Sequence, residues 1–325
     1  MARIAGIGKS VPETILTNAD LEKIVDTSDE WITARSGIKE RRIMRRGDKT
    51  SDYCIAAARQ ALERAGVSPE ELEFIILGTI SPDMRFPATA IFVQEALNAV
   101  NAAAWDISAT CSGFLYSLYQ GEAIIALGRA RKGLVIGAEM LTSVTDYTDR
   151  GTCVLFGDGA GAVVLTEAEQ DERGILSTYL GSGGNASQFL YCIGQGTVGS
   201  VGTGNAVDGE RFCRMNGNEV FKYAVRTLVK SANESLRIAG LTTADVDWLV
   251  PHQANLRIME ATAERLGIPR EKVYVNIHKY GNTSSASVPI ALEEGRQDGS
   301  FKDGQVLCCI AFGGGFTWGG ATIRL

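Results

Sequence analysis

The chain of 325 residues is 45% apolar and 22% charged, with a net charge of −6, which excludes a disordered chain and a surface built for general nucleic-acid binding. Its seven cysteines, odd in number and without a C-x-x-C pair, argue for reduced thiols over a disulfide framework or a zinc centre, and two histidines offer a metal little. With no apolar run of about eighteen residues and no signal-peptide pattern in MARIAGIGKS, a cytoplasmic protein that neither enters nor crosses a membrane is expected.

In chain order, ARIAGIG reads as a strand. Residues 35 to 46 carry Arg35, Lys39, Arg41, Arg42, Arg45 and Arg46 against one acid, Glu40. This run suits a phosphate-bearing or acidic partner, or is simply a solvated surface. Residues 50 to 65 read as a helix, EFIILG and AAAWDI as strands, 111 to 127 as a helix and KGLVIGAE as a strand. A glycine-rich turn and strand, FGDGAGAVVL, follow. The Gly/Ser/Asn-rich stretch 181 to 209 reads as a long loop, of the kind that forms lids or ligand walls. An amphipathic helix from about Asn216 to Ala239 is expected next, then the strand VDWLVP, a helix from about Asn255 to Leu266 and the strand KVYVNI. The chain closes on FGGGFTWGGATIRL, a second glycine-rich turn and strand. Buried strands alternating with helices place the fold in the α/β class. The paired glycine turns, and the small-residue helix starts TCSGFLYSL and NTSSASVPIAL, point to duplication, with halves at 1–170 and 171–325.

Three residues carry candidate chemistry. Cys111 falls where a strand passes into a helix, and unpaired amides there should lower its thiol pKa and favour the nucleophilic thiolate. His252 follows an apolar strand, in the region where open α/β sheets bind ligands, and Asn282 sits at a glycine-led turn. Any acid or base titrating near neutrality is expected to be His252 or His278. Taken singly, each of the three also reads as ordinary structure: a small buried cysteine, a satisfied core histidine and a helix cap.

Cys111 in TCSGF, His252 in PHQANLRI and Asn282 in YGNTSSAS resemble, in order and context, the Cys-His-Asn triad of the β-ketoacyl-acyl carrier protein synthases III of the thiolase-like superfamily. The resemblance runs nearly end to end, through DEWITARSGIKERR, TDRGTCVLFGDGAGAVVL, NGNEVFK and AFGGGFTWGG. It implies a duplicated α-β-α-β-α layered fold, a homodimer, and a condensation of an acyl-CoA with malonyl-acyl carrier protein that starts fatty acid synthesis without any cofactor. By the same resemblance, Cys111 is the acylated nucleophile, and the oxyanion holes are formed by His252 with Asn282 and by the backbone of Cys111 with Gly314. Trp31 and Arg150 would flank the adenine of CoA, with Thr27 and Arg35 nearby and Asn255 towards the pantetheine arm. Lys222 and the stretch Gln253, Ala254, Asn255, Leu256 and Arg257 would meet the carrier protein, and Phe86, Leu141 and Phe156 would shape the acyl pocket. Phe86 reads equally well as an ordinary core side chain.

Several rivals remain. A thiolase would carry a second reactive cysteine where Ala311 stands, and Cys308 and Cys309 are out of register for it. A ketosynthase of secondary metabolism shares the triad. A Cys-His-Asn hydrolase lacks the duplicated glycine turns, and a non-catalytic binding protein has no need of an intact triad.

Overall fold

The apolar runs of the two halves pair into separate sheets in the computed structural model, which describes residues 1–168, 173–194 and 212–325. The boundary placed near residue 170, and most of the stretch 181 to 209, lie outside the described residues.

The first sheet contains β1 (Ala2–Ser10), β2 (Phe74–Gly78), β3 (Ala103–Ile107), β4 (Lys132–Met140) and β5 (Asp158–Glu167) in the order β1-β5-β4-β2-β3. Strands β4, β2 and β3 are parallel, while β5 runs antiparallel to both β1 and β4. The second sheet contains β6 (Gly174–Ser182), β9 (Trp248–Pro251), β10 (Val306–Gly313) and β11 (Thr317–Arg324) in the order β9-β10-β11-β6. Its pairing repeats the first, with β9 and β10 parallel and β10, β11 and β6 antiparallel in turn. Between the sheets in sequence, β7 (Leu190–Cys192), inside the stretch read as loop, and β8 (Cys213–Met215), just after it, form a short antiparallel ribbon.

Helix α1 (Asp29–Ser36) belongs to neither sheet layer and packs Ile32 and Trp31 into a small apolar cluster with Cys153, Val154 and Ile277. Helices α2 (Thr50–Ala65) and α3 (Thr89–Leu97) cover the outer face of the first sheet, and α5 (Gly217–Ile238) and α6 (Leu256–Leu266) that of the second. Helices α4 (Gly113–Ala126) and α7 (Ser287–Gln297) fill the space between, each touching both sheets. The layering is the expected α-β-α-β-α. Phe114, Leu115 and Leu118 of α4 and Val288, Ala291 and Leu292 of α7 enter one apolar cluster with strands of both sheets. Each large side chain in it contributes on the order of 1.5–3 kcal/mol by burial.

One expected strand is not formed. KVYVNI contributes a single parallel bridge, Leu249 to Val273, beside β9. Tyr274 N–H still donates to Leu249 O at 2.9 Å, but beyond it the side chain of Gln253 replaces the ladder. Its Nε2 donates to Pro251 O and Tyr274 O, and its Oε1 accepts from the N–H groups of Asn276 and Ile277.

Candidate active site

Both central helices begin in the same unusual way. Thr110 (φ +48°) and Ser284 (φ +49°) adopt the left-handed conformation, each opens a single 3-10 turn, and the turn runs into α4 or α7. For non-glycine residues this costs on the order of 1–3 kcal/mol, and such strain collects at functional sites. The two turns pack on each other and bring Cys111 and Ser284 together, with Ser284 Oγ 3.2 Å from Cys111 Sγ.

Cys111, His252 and Asn282 line one cavity of about 1110 Å³. His252 follows β9, where its N–H donates to Ile310 O at 2.7 Å, and its ring Nδ1 lies 2.6 Å from Ser287 Oγ. That oxygen also accepts from the Gln253 N–H. Among the described residues the Ser287 hydroxyl has no acceptor other than Nδ1, which assigns the ring proton to Nε2. Burial lowers the His252 pKa to about 3, so the ring is neutral. Asn282 Oδ1 accepts from the Ser284 N–H at 2.9 Å, which orients its amide. Among the described residues Asn282 Nδ2 and His252 Nε2 have no protein acceptor, and both remain available as donors to a ligand.

The glycine turn reaches the nucleophile from the other side. A Cβ added to Gly313 would stand 2.2 Å from Thr110 Oγ1 and 2.6 Å from Cys111 N, so only glycine admits this approach. Gly314 is buried beside it, and its carbonyl accepts from Thr110 Oγ1 at 3.0 Å.

Several expectations change here. The Cys111 thiol is not lowered: burial raises it to about 12, although the Ser284 hydroxyl pulls it down. Cys111 also precedes the first residue of α4 by two positions and sits in the 3-10 turn. Burial lowers His278 from its ordinary value as well. Burial raises Asp158, at the start of β5, to about 6, and Glu139, at the end of β4, to about 7. Glu139 went unremarked within KGLVIGAE, where a fully buried acid is out of character with its apolar neighbours.

Gln253, expected on the carrier-protein face, is 1% exposed and wholly engaged in the backbone bonds described above. Leu256 is half-buried in the apolar cluster around α1. Arg41, in the basic run, is 0% exposed, bonded to Leu16 O, Asn18 Oδ1 and Val154 O. The run is therefore not one continuous charged face. Arg257 and Lys222 are exposed on adjacent helices: Arg257 lies over the Phe221 ring at 5.9 Å, and Lys222 pairs with Glu219 at 2.8 Å. Asn255 caps α6 and donates from Nδ2 to Arg35 O, and like Ala254 it lines the cavity.

Trp31, Arg150 and Arg35 are brought together, but the expected sandwich is closed on itself. The Arg150 guanidinium lies 4.3 Å from the Trp31 ring centroid and that of Arg35 5.6 Å. A base held between indole and guanidinium needs roughly 7 Å, two carbon contact distances. Thr27 Oγ1 is buried without a hydrogen-bond partner among the described residues. Leu141 and Phe156 line the cavity; Phe86 does not, and at 79% exposure it is no core residue either.

Among the described residues no helix is long and apolar enough to cross a membrane, and no group of three or more His, Cys, Asp or Glu is placed to hold a metal ion.

Comparison with known proteins agrees with this architecture. Family models described as 3-oxoacyl-[acyl-carrier-protein (ACP)] synthase III and its C-terminal region match residues 105–184 and 236–325. The chain is 51% identical over 324 residues to beta-ketoacyl-[acyl-carrier-protein] synthase III of Xanthomonas campestris, covering 99% of this chain and 98% of that one. It superposes on the crystal structure of 3-oxoacyl-[acyl-carrier-protein] synthase III from Aquifex aeolicus with a TM-score of 0.93, at 48% identity and full coverage of both chains. The priming β-ketosynthase of the R1128 polyketide pathway superposes with a TM-score of 0.92 at 35% identity, covering 100% of this chain and 96% of that one. By sequence over its whole length and by fold, the chain belongs to the β-ketoacyl-[acyl-carrier-protein] synthase III family of thiolase-like condensing enzymes.

Proposed function

We propose that the chain starts fatty acid synthesis by a decarboxylative Claisen condensation of an acyl-CoA, with acetyl-CoA the first to test, and malonyl-acyl carrier protein. The observation that carries this reading is the convergence of Cys111 Sγ with the two unengaged neutral donors, His252 Nε2–H and Asn282 Nδ2–H, on one cavity. The Cys111 thiolate attacks the acyl-CoA carbonyl, the CoA thiolate departs, and the acyl group stays on Sγ. The malonyl group then loses carbon dioxide, and the electron pair of the broken C–C bond passes into an enolate. His252 and Asn282 donate to the enolate oxygen, and because neither donor carries charge, the developing anion is stabilised only as it forms. The enolate carbon attacks the acyl-Cys111 carbonyl, whose oxyanion meets the backbone N–H groups of Cys111 and Gly314; its collapse breaks the C–Sγ bond, releasing the β-ketoacyl-acyl carrier protein and the Cys111 thiolate. Carbon dioxide loss supplies the carbanion, so no strong base is needed for this step.

Arg35, Arg150 and Trp31 offer cationic and aromatic surface for the nucleotide of CoA, with Thr27 beside them and Asn255 leading into the cavity. The base displaces the Arg150 guanidinium from the indole as it enters. Lys222 and Arg257 present positive charge for an acidic carrier protein, with Ala254 and Leu256 at the same rim. A homodimer is supported by the half-exposed edge strand β3 and by the exposed apolar side chains Met84, Phe86 and Ile91. In such a dimer Phe86 closes the pocket of the partner subunit. The division into halves at 1–170 and 171–325 and a cytoplasmic location belong to the same reading. A role in priming a polyketide pathway is the second reading, supported by the likeness to the R1128 enzyme at 35% identity, against 51% to the Xanthomonas campestris synthase III.

Intact-mass measurement after brief exposure to acetyl-CoA tests the proposal. An acetyl adduct on the wild type that is absent in Cys111→Ser is expected. An adduct only with a longer or branched acyl-CoA moves the starter assignment, and no adduct with any acyl-CoA overturns the mechanism.

A further inference from the structure

Acylation requires Cys111 to lose a proton, and nothing assigned so far accepts it. His252 is committed through Nδ1 to Ser287, and its remaining nitrogen carries hydrogen. Ser284 Oγ, however, lies 3.2 Å from Cys111 Sγ and 3.2 Å from Glu139 Oε1. Glu139 is 0% exposed and, among the described residues, forms no ion pair. Its Oε2 accepts from Ser81 Oγ at 2.6 Å, Ile80 N at 3.1 Å and Thr79 Oγ1 at 3.3 Å. An unpaired buried carboxylate costs stability, and retaining one beside the nucleophile calls for a use.

We propose that Ser284 and Glu139 form a proton relay that deprotonates Cys111 during acylation. The single Ser284 hydrogen cannot serve both neighbours, and its two positions are the two ends of the relay. Before transfer the Ser284 hydroxyl donates to Glu139 Oε1 and accepts from the Cys111 S–H. The S–H bond breaks as a new Oγ–H bond forms, and the original Ser284 hydrogen passes to Glu139 Oε1. This leaves a thiolate, an intact serine and a neutral Glu139 acid, with the serine now donating to Sγ. Once Sγ is acylated, Glu139 returns its proton through Ser284, which lines the cavity, and the departing CoA thiolate takes one from solvent.

Ser284 touches the reacting sulfur; Glu139 acts only through it. The titratable groups that face Glu139 are Cys111 and, from α2, Cys54, both of which its charge affects. With the carboxyl raised to about 7, the acceptor is poised to titrate in the working range.

The inference rests on Cys111 as the nucleophile, and two reagents separate its failure from that of the proposed function. Acetylation by acetyl-CoA and alkylation of Cys111 by iodoacetamide, which needs no CoA site, are both followed by intact mass between about pH 5.5 and about pH 9 in wild type, Glu139→Gln and Ser284→Ala. The wild-type rates should rise as one group titrates near neutrality. Both variants should lose that rise and react roughly 100-fold more slowly at neutral pH, with the difference closing in alkali. Glu139→Gln reacting as fast as wild type or faster overturns the relay, because removal of a nearby negative charge alone favours the thiolate. Should Glu139→Gln not fold, Ser284→Ala decides by the same profile. Glu139-dependent alkylation without acetylation retains the relay and overturns the acyl donor; acetylation with an unchanged pH profile does the reverse.

Discussion

Neutrality at His252 has a cost that pH exposes. Its pKa falls from the ordinary 6.5 to about 3 through burial, so between these values the unfolded chain binds a proton that the folded chain does not. Stability is therefore full above the unfolded value and declines as pH falls from about 6.5 towards about 3. From neutrality to about pH 4.5 the loss is on the order of 3 kcal/mol. His252→Gln removes this contribution, so the gap in unfolding free energy from urea titration between variant and wild type should shift by that amount in favour of the variant on acidification; an unchanged gap would mean that His252 is charged in the fold. Sequence made Cys111, His252 and Asn282 legible because each sits in a distinctive local pattern. It did not make Glu139 or Ser287 legible as site residues. Glu139 matters only because Ser284 arrives from the other half of the chain, and Ser287 only because it meets His252.

At the level of elements, β9 shows a side chain standing in for backbone. Gln253→Ala strands two buried N–H groups and two carbonyls, and a loss of roughly 3–5 kcal/mol in urea unfolding with unchanged slope is expected. The glycine turn makes the opposite demand. Gly313→Ala should reduce Cys111 acetylation roughly 100-fold, because the new methyl displaces Thr110 and the Cys111 N–H from the oxyanion position. The fold itself should lose only about 1–3 kcal/mol, which a thermal melt measures. Elements with local signals were legible: α5 has an amphipathic pattern and an Asn216 cap, and α2 ends at Gly66 in the left-handed conformation. Helix α3 was missed because its cap is tertiary. Ala88 offers no capping side chain, and the Asp106 carboxylate of β3 accepts from Thr89 N and Ala90 N instead. KVYVNI was misread because, beyond the one bond of Tyr274 N–H to β9, Gln253 rather than a neighbouring strand satisfies its backbone.

For the whole molecule, the decisive feature is the middle layer. Helices α4 and α7 come from opposite halves of the chain and share one apolar cluster with both sheets. Neither half keeps a closed core without the other, so the halves should unfold together. Tryptophan fluorescence and far-ultraviolet circular dichroism should give coincident urea transitions; a plateau with one half intact would contradict a shared core. The same layer forbids a hinge between the halves, which leaves loops and side chains such as Arg150 to admit the substrate. The two left-handed turns that open these helices also bear on ancestry. A half-length chain that paired with itself would place two copies of one turn face to face, giving two cysteines or two serines but never one of each. Covalent fusion freed the copies to diverge, and a site with a nucleophile on one side and its serine partner on the other is open only to a duplicated gene.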